Sequence, residues 1–192
     1  MKIKDLIKAS RSFRSFDPNA PITSEILADL VECVRYTPSS RNLQALKFRL
    51  VTSQEECAAL LPFTRWAGLL RDMEIPPRGH APTAYVVITI DTSLTENITP
   101  FLKDVGICAQ SILLAATEAG FGGCMIGSFH AEEVSKLLSL PAHLSPQLIL
   151  AMGKPDETVV LTDVKSDGSI AYYRENGVHY VPKRPLEDLI IS

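Results

Sequence analysis

Pro100-Phe-Leu-Lys-Asp-Val-Gly-Ile-Cys-Ala-Gln-Ser-Ile-Leu-Leu-Ala-Ala-Thr-Glu-Ala-Gly-Phe-Gly-Gly-Cys-Met-Ile-Gly127 is the stretch around which the rest of the chain is ordered. Leu102, Val105, Ala109, Ile112, Leu113 and Ala116 recur at three- and four-residue steps, which predicts a long helix from about Pro100 to Ala119. Gly106, Ala109, Ala115 and Ala116 keep that helix slim, as suits a central element packed closely on several sides. Gly120, Gly122 and Gly123 then break the period. They read either as a tight turn into a strand or as backbone left bare for a flat ligand.

Working outward, Tyr85 to Asp91 and Pro146 to Gly153 are continuous apolar runs of strand length, and Lys47 to Thr52 alternates. Ile3, Leu6 and Ile7 mark a short first helix ending near Ser10. Thr23 or Ser24 caps a second, with Ile26, Leu27, Leu30, Val31 and Val34 on one face. Another helix is expected over Ala131 to Ser139. Val159 to Lys165 and Ser169 to Arg174 are expected to pair through an Asp167-Gly168 turn. This alternation of helices and strands reads as a mixed α/β or α+β domain around one sheet. The irregular stretch at 62–82 and the polar-then-apolar segment 176–192 are expected to form a lid-like insertion and an arm.

The chain has 192 residues, which at ~150 per domain favours one domain. Hydrophobic residues at 46% and charged residues at 21% exclude a disordered tail, a collagenous repeat and a coiled coil. The apolar run Ala84 to Ile90 is far short of a bilayer span, and Met1 to Lys8 alternates charge with apolar residues. A soluble, cytoplasmic protein is expected. A net charge of -3 argues against nucleic acid or a membrane surface as the main partner. Cys33, Cys57, Cys108 and Cys124 form no C-x-x-C pair, so neither zinc nor a disulfide framework is supported, and all four are expected in the core.

Familiar catalytic signatures are absent: no P-loop, no H-E-x-x-H, no nucleophile elbow at Ser128, and scattered histidines at 80, 130, 143 and 179. What remains is a set of groups suited to an anion and a ring. Arg11-Ser-Phe-Arg14-Ser-Phe16 puts two guanidinium groups and a hydroxyl within four residues, which serves a phosphate or simply a solvated helix end. Pro38-Ser-Ser-Arg-Asn-Leu-Gln44 offers amides and hydroxyls that can satisfy a heteroaromatic edge, or merely end a helix.

Together these stretches resemble the nitroreductase family of flavoenzymes. Arg11-Ser12-x-Arg14-x-Phe16 is similar to its R-S-x-R-x-F element, and Pro38-Ser39-Ser40-x-Asn42-x-Gln44 to its P-S-x-x-N-x-Q loop. Ala119 to Gly127 resembles its glycine-rich turn, and Met152-Gly-Lys-Pro-Asp-Glu157 its late G-x-P-x-E element. Asp104-x-Gly106-Ile107-x-Ala109-Gln110 also fits, so the resemblance runs from about residue 3 to 190.

The resemblance implies an α+β three-layer sandwich: a mixed, mainly antiparallel sheet flanked by helices, built as an intertwined homodimer. It implies FMN at the dimer interface, with no metal and no side-chain nucleophile. Arg11, Ser12 and Arg14 would hold the phosphate, ribityl chain and pyrimidine edge, Arg14 also lending electrostatic support near N1. Lys183 or Arg184 would complete the phosphate clamp. Pro38, Ser39, Ser40 and Asn42 would come from the partner subunit, with Gln44 from the chain that supplies Arg14. Ile126, Gly127 and Ser128 would pass under the ring, with a backbone N–H toward N5.

The implied activity is hydride transfer from NADH or NADPH to flavin, then electron transfer to a nitroaromatic, quinone or similar acceptor. The alternatives are an FMN-binding member acting as a dehalogenase or dehydrogenase, or a flavin-binding protein without turnover. Three departures stand out. Ser10-Arg11 replaces the frequent pair of arginines, Gln44-Ala45-Leu46 replaces Q-P-W, and Gly127 stands where some members carry glutamate.

Overall fold

The computed structural model describes residues 2–70 and 72–191, so Arg71 of the lid-like segment and Ser192 of the expected arm lie outside the described residues. In chain order the elements are α1 (Ile3–Ala9), α2 (Ser24–Glu32), β1 (Leu46–Val51), α3 (Gln54–Leu60), β2 (Ala84–Asp91) and α4 (Leu102–Glu118). There follow β3 (Gly122–Ile126), α5 (Ala131–Leu137), β4 (Leu144–Gly153), β5 (Thr158–Asp163), β6 (Tyr173–Glu175) and β7 (Val178–Lys183). Thr23 caps α2, its hydroxyl accepting from the Ile26 N–H at 3.3 Å, and Ser53 caps α3 the same way through Glu56 at 3.1 Å. A short 3-10 turn at Thr99–Phe101, with Pro100 inside it, leads into α4.

Strands β1 to β4 form an antiparallel sheet in the order β1-β2-β4-β3. Strand β2 is buried along its whole length, which is why its sequence is apolar without a break. Its alternation still matters. Val86, Ile88 and Ile90 face Leu27 and Leu30 of α2 and Val105, Ala109 and Ile112 of α4. Tyr85 and Val87 face Leu60 of α3 and Val134 of α5. Two helical layers thus sandwich one sheet, and β1 and β3 are its edges.

A second, three-stranded sheet has the order β5-β7-β6, with β5 and β7 parallel and β6 and β7 antiparallel. This corrects the expected hairpin. The Asp167-Gly168 turn does form, Gly168 N–H donating to Lys165 O at 2.8 Å, but 169–172 does not pair with β5. The hairpin joins β6 to β7 through Asn176-Gly177, at φ 49° and 78°. Tight hairpin turns favour two positive φ values in succession, and Asn-Gly meets that demand at low cost. The expected arm is accordingly a strand over Val178–Lys183. Only beyond it do Leu186, Leu189, Ile190 and Ile191 stand exposed.

Cys57, Cys108 and Cys124 are buried, whereas Cys33 is only half-buried at the end of α2, and all four are free thiols. Among the described residues no helix is long and apolar enough to cross a membrane.

Candidate functional site

The segment Arg11–Phe16 runs along the edge strand β3 and past the end of β4. Ser12 forms a parallel bridge to Gly123, and Phe13 N–H donates to Gly123 O at 3.1 Å. Phe16 is fully buried, and its ring presses on Gly153. A Cβ on Gly122 would stand 2.5 Å from the Phe13 ring, and one on Gly123 would stand 2.6 Å from Ala151 O. The bare backbone of the glycine run therefore admits Phe13 and the neighbouring strand rather than a ligand. Gly127 differs, with nothing within 4 Å of its Cβ position.

This seating aims the two guanidinium groups. Arg11 donates through Nη2 to Ile7 O at 2.7 Å, and Arg14 through Nη1 to Ser12 O at 3.1 Å. The Nε of each is buried without a partner. Partial burial lowers the Arg11 pKa from its ordinary value. The Arg14 guanidinium also lies over the Tyr172 ring, 5.3 Å from its centroid.

Behind Arg14 stands a group that the sequence reading did not assemble. Glu157 accepts the Arg14 backbone N–H on Oε1 and the Arg174 Nη2 on Oε2, with side chains only 5% and 13% exposed. His179, directly opposite Arg174 across the β6–β7 hairpin, is 1% exposed and packs against Tyr172. Burial, helped by Arg14 and Arg174, lowers its pKa to about 4, so the imidazole is neutral at neutral pH. Neither ring nitrogen has a hydrogen-bond partner, and Glu157 Oε2 is 3.9 Å from Nδ1. Burial raises the Cys124 thiol against the opposing pull of Arg14. One carboxylate and two guanidiniums thus leave this corner with an excess of positive charge.

The Pro38–Gln44 loop sits elsewhere. Ser39 Oγ and Ser40 N–H donate to Asp104 Oδ2 at 2.8 and 2.9 Å, and Gln44 N–H donates to Ser39 Oγ at 3.1 Å. Gln44 Nε2 donates to Asn42 O at 3.2 Å. Asp104 is buried, so it anchors the loop to the start of α4. Arg41, Asn42 and Gln44 sit at φ 53°, 54° and 53°, a left-handed backbone uncommon outside glycine. A cleft of about 300 Å³ opens here, lined by Thr37, Ser39, Asn42, Gln44, Asp104 and Cys108 among others.

Loop and arginines lie at opposite edges of the sheet, β1 against β3. Three strand spacings of ~4.8 Å put at least ~14 Å between them. One chain therefore does not bring Pro38, Ser39, Ser40 and Asn42 to Arg11, Ser12 and Arg14. Gln44, expected on the side of Arg14, is held with the loop instead, because its own N–H and amide are tied to Ser39 and Asn42. Ile126 is buried at the end of β3, and Gly127 and Ser128 follow it exposed on the arginine side. The irregular stretch runs beside them, Arg65 N–H donating to Ser128 O at 3.0 Å and Thr64 bridging Phe129. Lys183 and Arg184 are exposed, and among the described residues neither forms an ion pair.

The family model that matches the chain is that of the nitroreductase family, over residues 7–154. YodC of Bacillus subtilis is 27% identical over 177 residues, covering 78% of this chain and 88% of YodC. A solved nitroreductase family protein from Streptococcus pneumoniae aligns over 100% of both chains, with a TM-score of 0.73 at 17% identity. The NADPH:FMN oxidoreductase of Vibrio harveyi, solved with NAD+, aligns with a TM-score of 0.64 at 26% identity, over 97% of this chain and 80% of that one.

Proposed function

The chain belongs to the nitroreductase family, and we propose that it is an FMN-dependent oxidoreductase that takes electrons from NADH or NADPH and gives them to a nitroaromatic, a quinone or a similar flat acceptor. The observation that carries this reading is the pair of buried, unpartnered nitrogens, Arg11 Nε and Arg14 Nε, on the edge that ends at exposed Gly127. A buried donor left without an acceptor costs about 1–3 kcal/mol. Phosphate and pyrimidine oxygens are acceptors of the required kind, so the residues present fit FMN.

Arg11 and Ser12 are assigned to the phosphate and ribityl chain, and Arg14 to the pyrimidine end, where a fixed cation favours added negative charge. Ile126, Gly127 and Ser128 form the floor, Gly127 leaving it open because it carries no Cβ. Lys183 or Arg184 is assigned to closing the phosphate clamp. FMN, when bound, supplies the two-electron chemistry that these side chains lack.

The loop Pro38, Ser39, Ser40, Asn42 and Gln44 is assigned to the site of a second copy of the chain. The opposite-edge placement of loop and arginines supports this, as does the face of α4 that carries exposed Ile107 beside half-buried Ser111 and Leu114. Substrate selection is assigned to the stretch from Thr64 to Leu70, since it adjoins Ser128.

The test is FMN uptake followed by steady-state oxidation of NADH and NADPH with menadione or a nitroaromatic. The purified protein is expected to be yellow, to be bleached by one of the nicotinamides, and to turn over. A protein that takes up no FMN overturns the reading. One that binds FMN without turnover reduces it to flavin binding.

A further inference from the structure

We propose that Glu157 and Arg174 are positioning residues that together fix the charge Arg14 presents to the flavin. This rests on the FMN reading above. Glu157 lies on the short connection between β4 and β5, and Arg174 lies in β6, so neither belongs to the segment that carries Arg14. Their pairing links the second sheet to that segment.

The two carboxylate oxygens do different things. Oε1 accepts the backbone N–H of Arg14 and so fixes where that residue leaves the main chain. Oε2 accepts from Arg174, not from the Arg14 guanidinium. The Arg14 guanidinium donates instead to Ser12 O, lies over Tyr172, and keeps a buried Nε free. A buried carboxylate beside an arginine would ordinarily take that arginine as its counter-ion. Here the counter-ion is supplied from another strand, which leaves the charge of Arg14 for a ligand. His179 does not disturb this balance. It is buried between Tyr172 and Glu157, and its imidazole stays neutral.

Removing either member of the pair should therefore shift the flavin in opposite directions. Arg174→Gln frees Glu157 to neutralise Arg14. The affinity for reduced FMN relative to oxidised FMN should fall about tenfold, which lowers the midpoint potential by about 30 mV for a two-electron couple. Glu157→Gln keeps an acceptor for the Arg14 N–H but deletes the negative charge, so the same ratio should rise by a similar factor. Arg174→Lys retains the cation and should leave the potential near that of the parent, as should the double variant Glu157→Gln/Arg174→Gln.

The experiment is a redox titration of each FMN-loaded variant, with oxidised-FMN affinity and the thermal midpoint of the apoprotein measured alongside. Opposite displacements in the two single variants support the proposal. Displacements of the same sign, or none, show a pair that is only structural and overturn it, whatever happens to stability. If one glutamine variant does not fold, the other against its charge-balanced control decides alone: Arg174→Gln against Arg174→Lys, or Glu157→Gln against the double variant. Arg14→Gln separates this proposal from the reading beneath it. A parent that binds no FMN removes that reading and the proposal together, whereas an Arg14→Gln potential equal to the parent's leaves FMN binding standing and removes the pyrimidine-end role of Arg14, and the proposal with it. A lowered Arg14→Gln potential with unmoved pair variants removes the proposal alone.

Discussion

The ring of Phe13 occupies the place where Gly122 has no side chain, its Cδ2 only 2.5 Å from where a Cβ would stand. Two residues more than a hundred positions apart thus fix the height at which Arg11 and Arg14 leave the sheet edge. Gly122→Ala should push Phe13 outward, with an overpacking cost of about 1–3 kcal/mol. FMN affinity should fall with it, since both arginines flank Phe13. Thermal unfolding and FMN titration check this, and a variant with unaltered FMN affinity would show that the guanidinium groups adapt independently of the seating.

Arg11→Ala should weaken FMN binding roughly ten- to hundredfold, the loss of one charge-assisted hydrogen bond of about 1.5–3 kcal/mol. Riboflavin, which lacks the phosphate, should bind parent and variant almost equally. Isothermal titration with both ligands separates a phosphate contact from a structural arginine, for which the two losses would match.

A dimer that persists at working concentration is expected, because the proposed site needs both the loop and the arginines, and one chain holds them at opposite edges of the sheet. Interfaces of that obligate kind bury more than about 2,000 Å². Sedimentation of the FMN-loaded protein tests it directly. A monomer that retains FMN would return the Pro38–Gln44 loop to a purely structural role, with Ser39 and Ser40 serving only to hold Asp104.

His179 sets a pH window for stability. Its pKa is lowered from 6.5 to about 4 in the folded chain, so below pH 6.5 the unfolded chain binds a proton that the folded chain refuses. Stability should be unaffected by this group above that pH and should decline from pH 6.5 down to about 4. The full decline is about 3 kcal/mol. Denaturant unfolding of the apoprotein at pH 7 and pH 4.5, for parent and His179→Gln, measures the difference. A parallel decline in both proteins would assign the acid sensitivity to other groups.

Much of the fold was legible because the relevant signals are local. The three- and four-residue recurrence from Leu102 to Ala116 gave the central helix, and the unbroken apolar run ending at Asp91 gave a strand covered on both faces. The Thr23 cap could be read from its own neighbourhood. The misread hairpin was local too. Asn176-Gly177 is the stronger two-residue turn signal, but Asp167-Gly168 competes with it because the apolar run 159–165 stands just before it.

The site was legible as a set of residue types, less so as an arrangement. The glycines at 122 and 123 read either as a tight turn or as ligand-facing backbone, and only the folded chain reveals Phe13 above Gly122. Glu157 was visible as part of a motif, yet its grip on Arg14 spans 143 positions and nothing near either residue announces it. Arg174 and His179 become a pair only once β6 and β7 are placed in register. Asp104 likewise acquires its role from Ser39 and Ser40, which approach from another element.

The opposite-edge placement of the Pro38–Gln44 loop and the arginines also bears on how damage would be shared between gene copies. On the proposed arrangement, in which each site takes the loop of one chain and the arginines of another, a chain defective only at Arg11 and a chain defective only at the loop are complementary. In their mixed dimer one site collects both lesions and the other collects neither. Two inactive alleles of this protein, expressed together, should then restore up to half of the sites in each mixed pair.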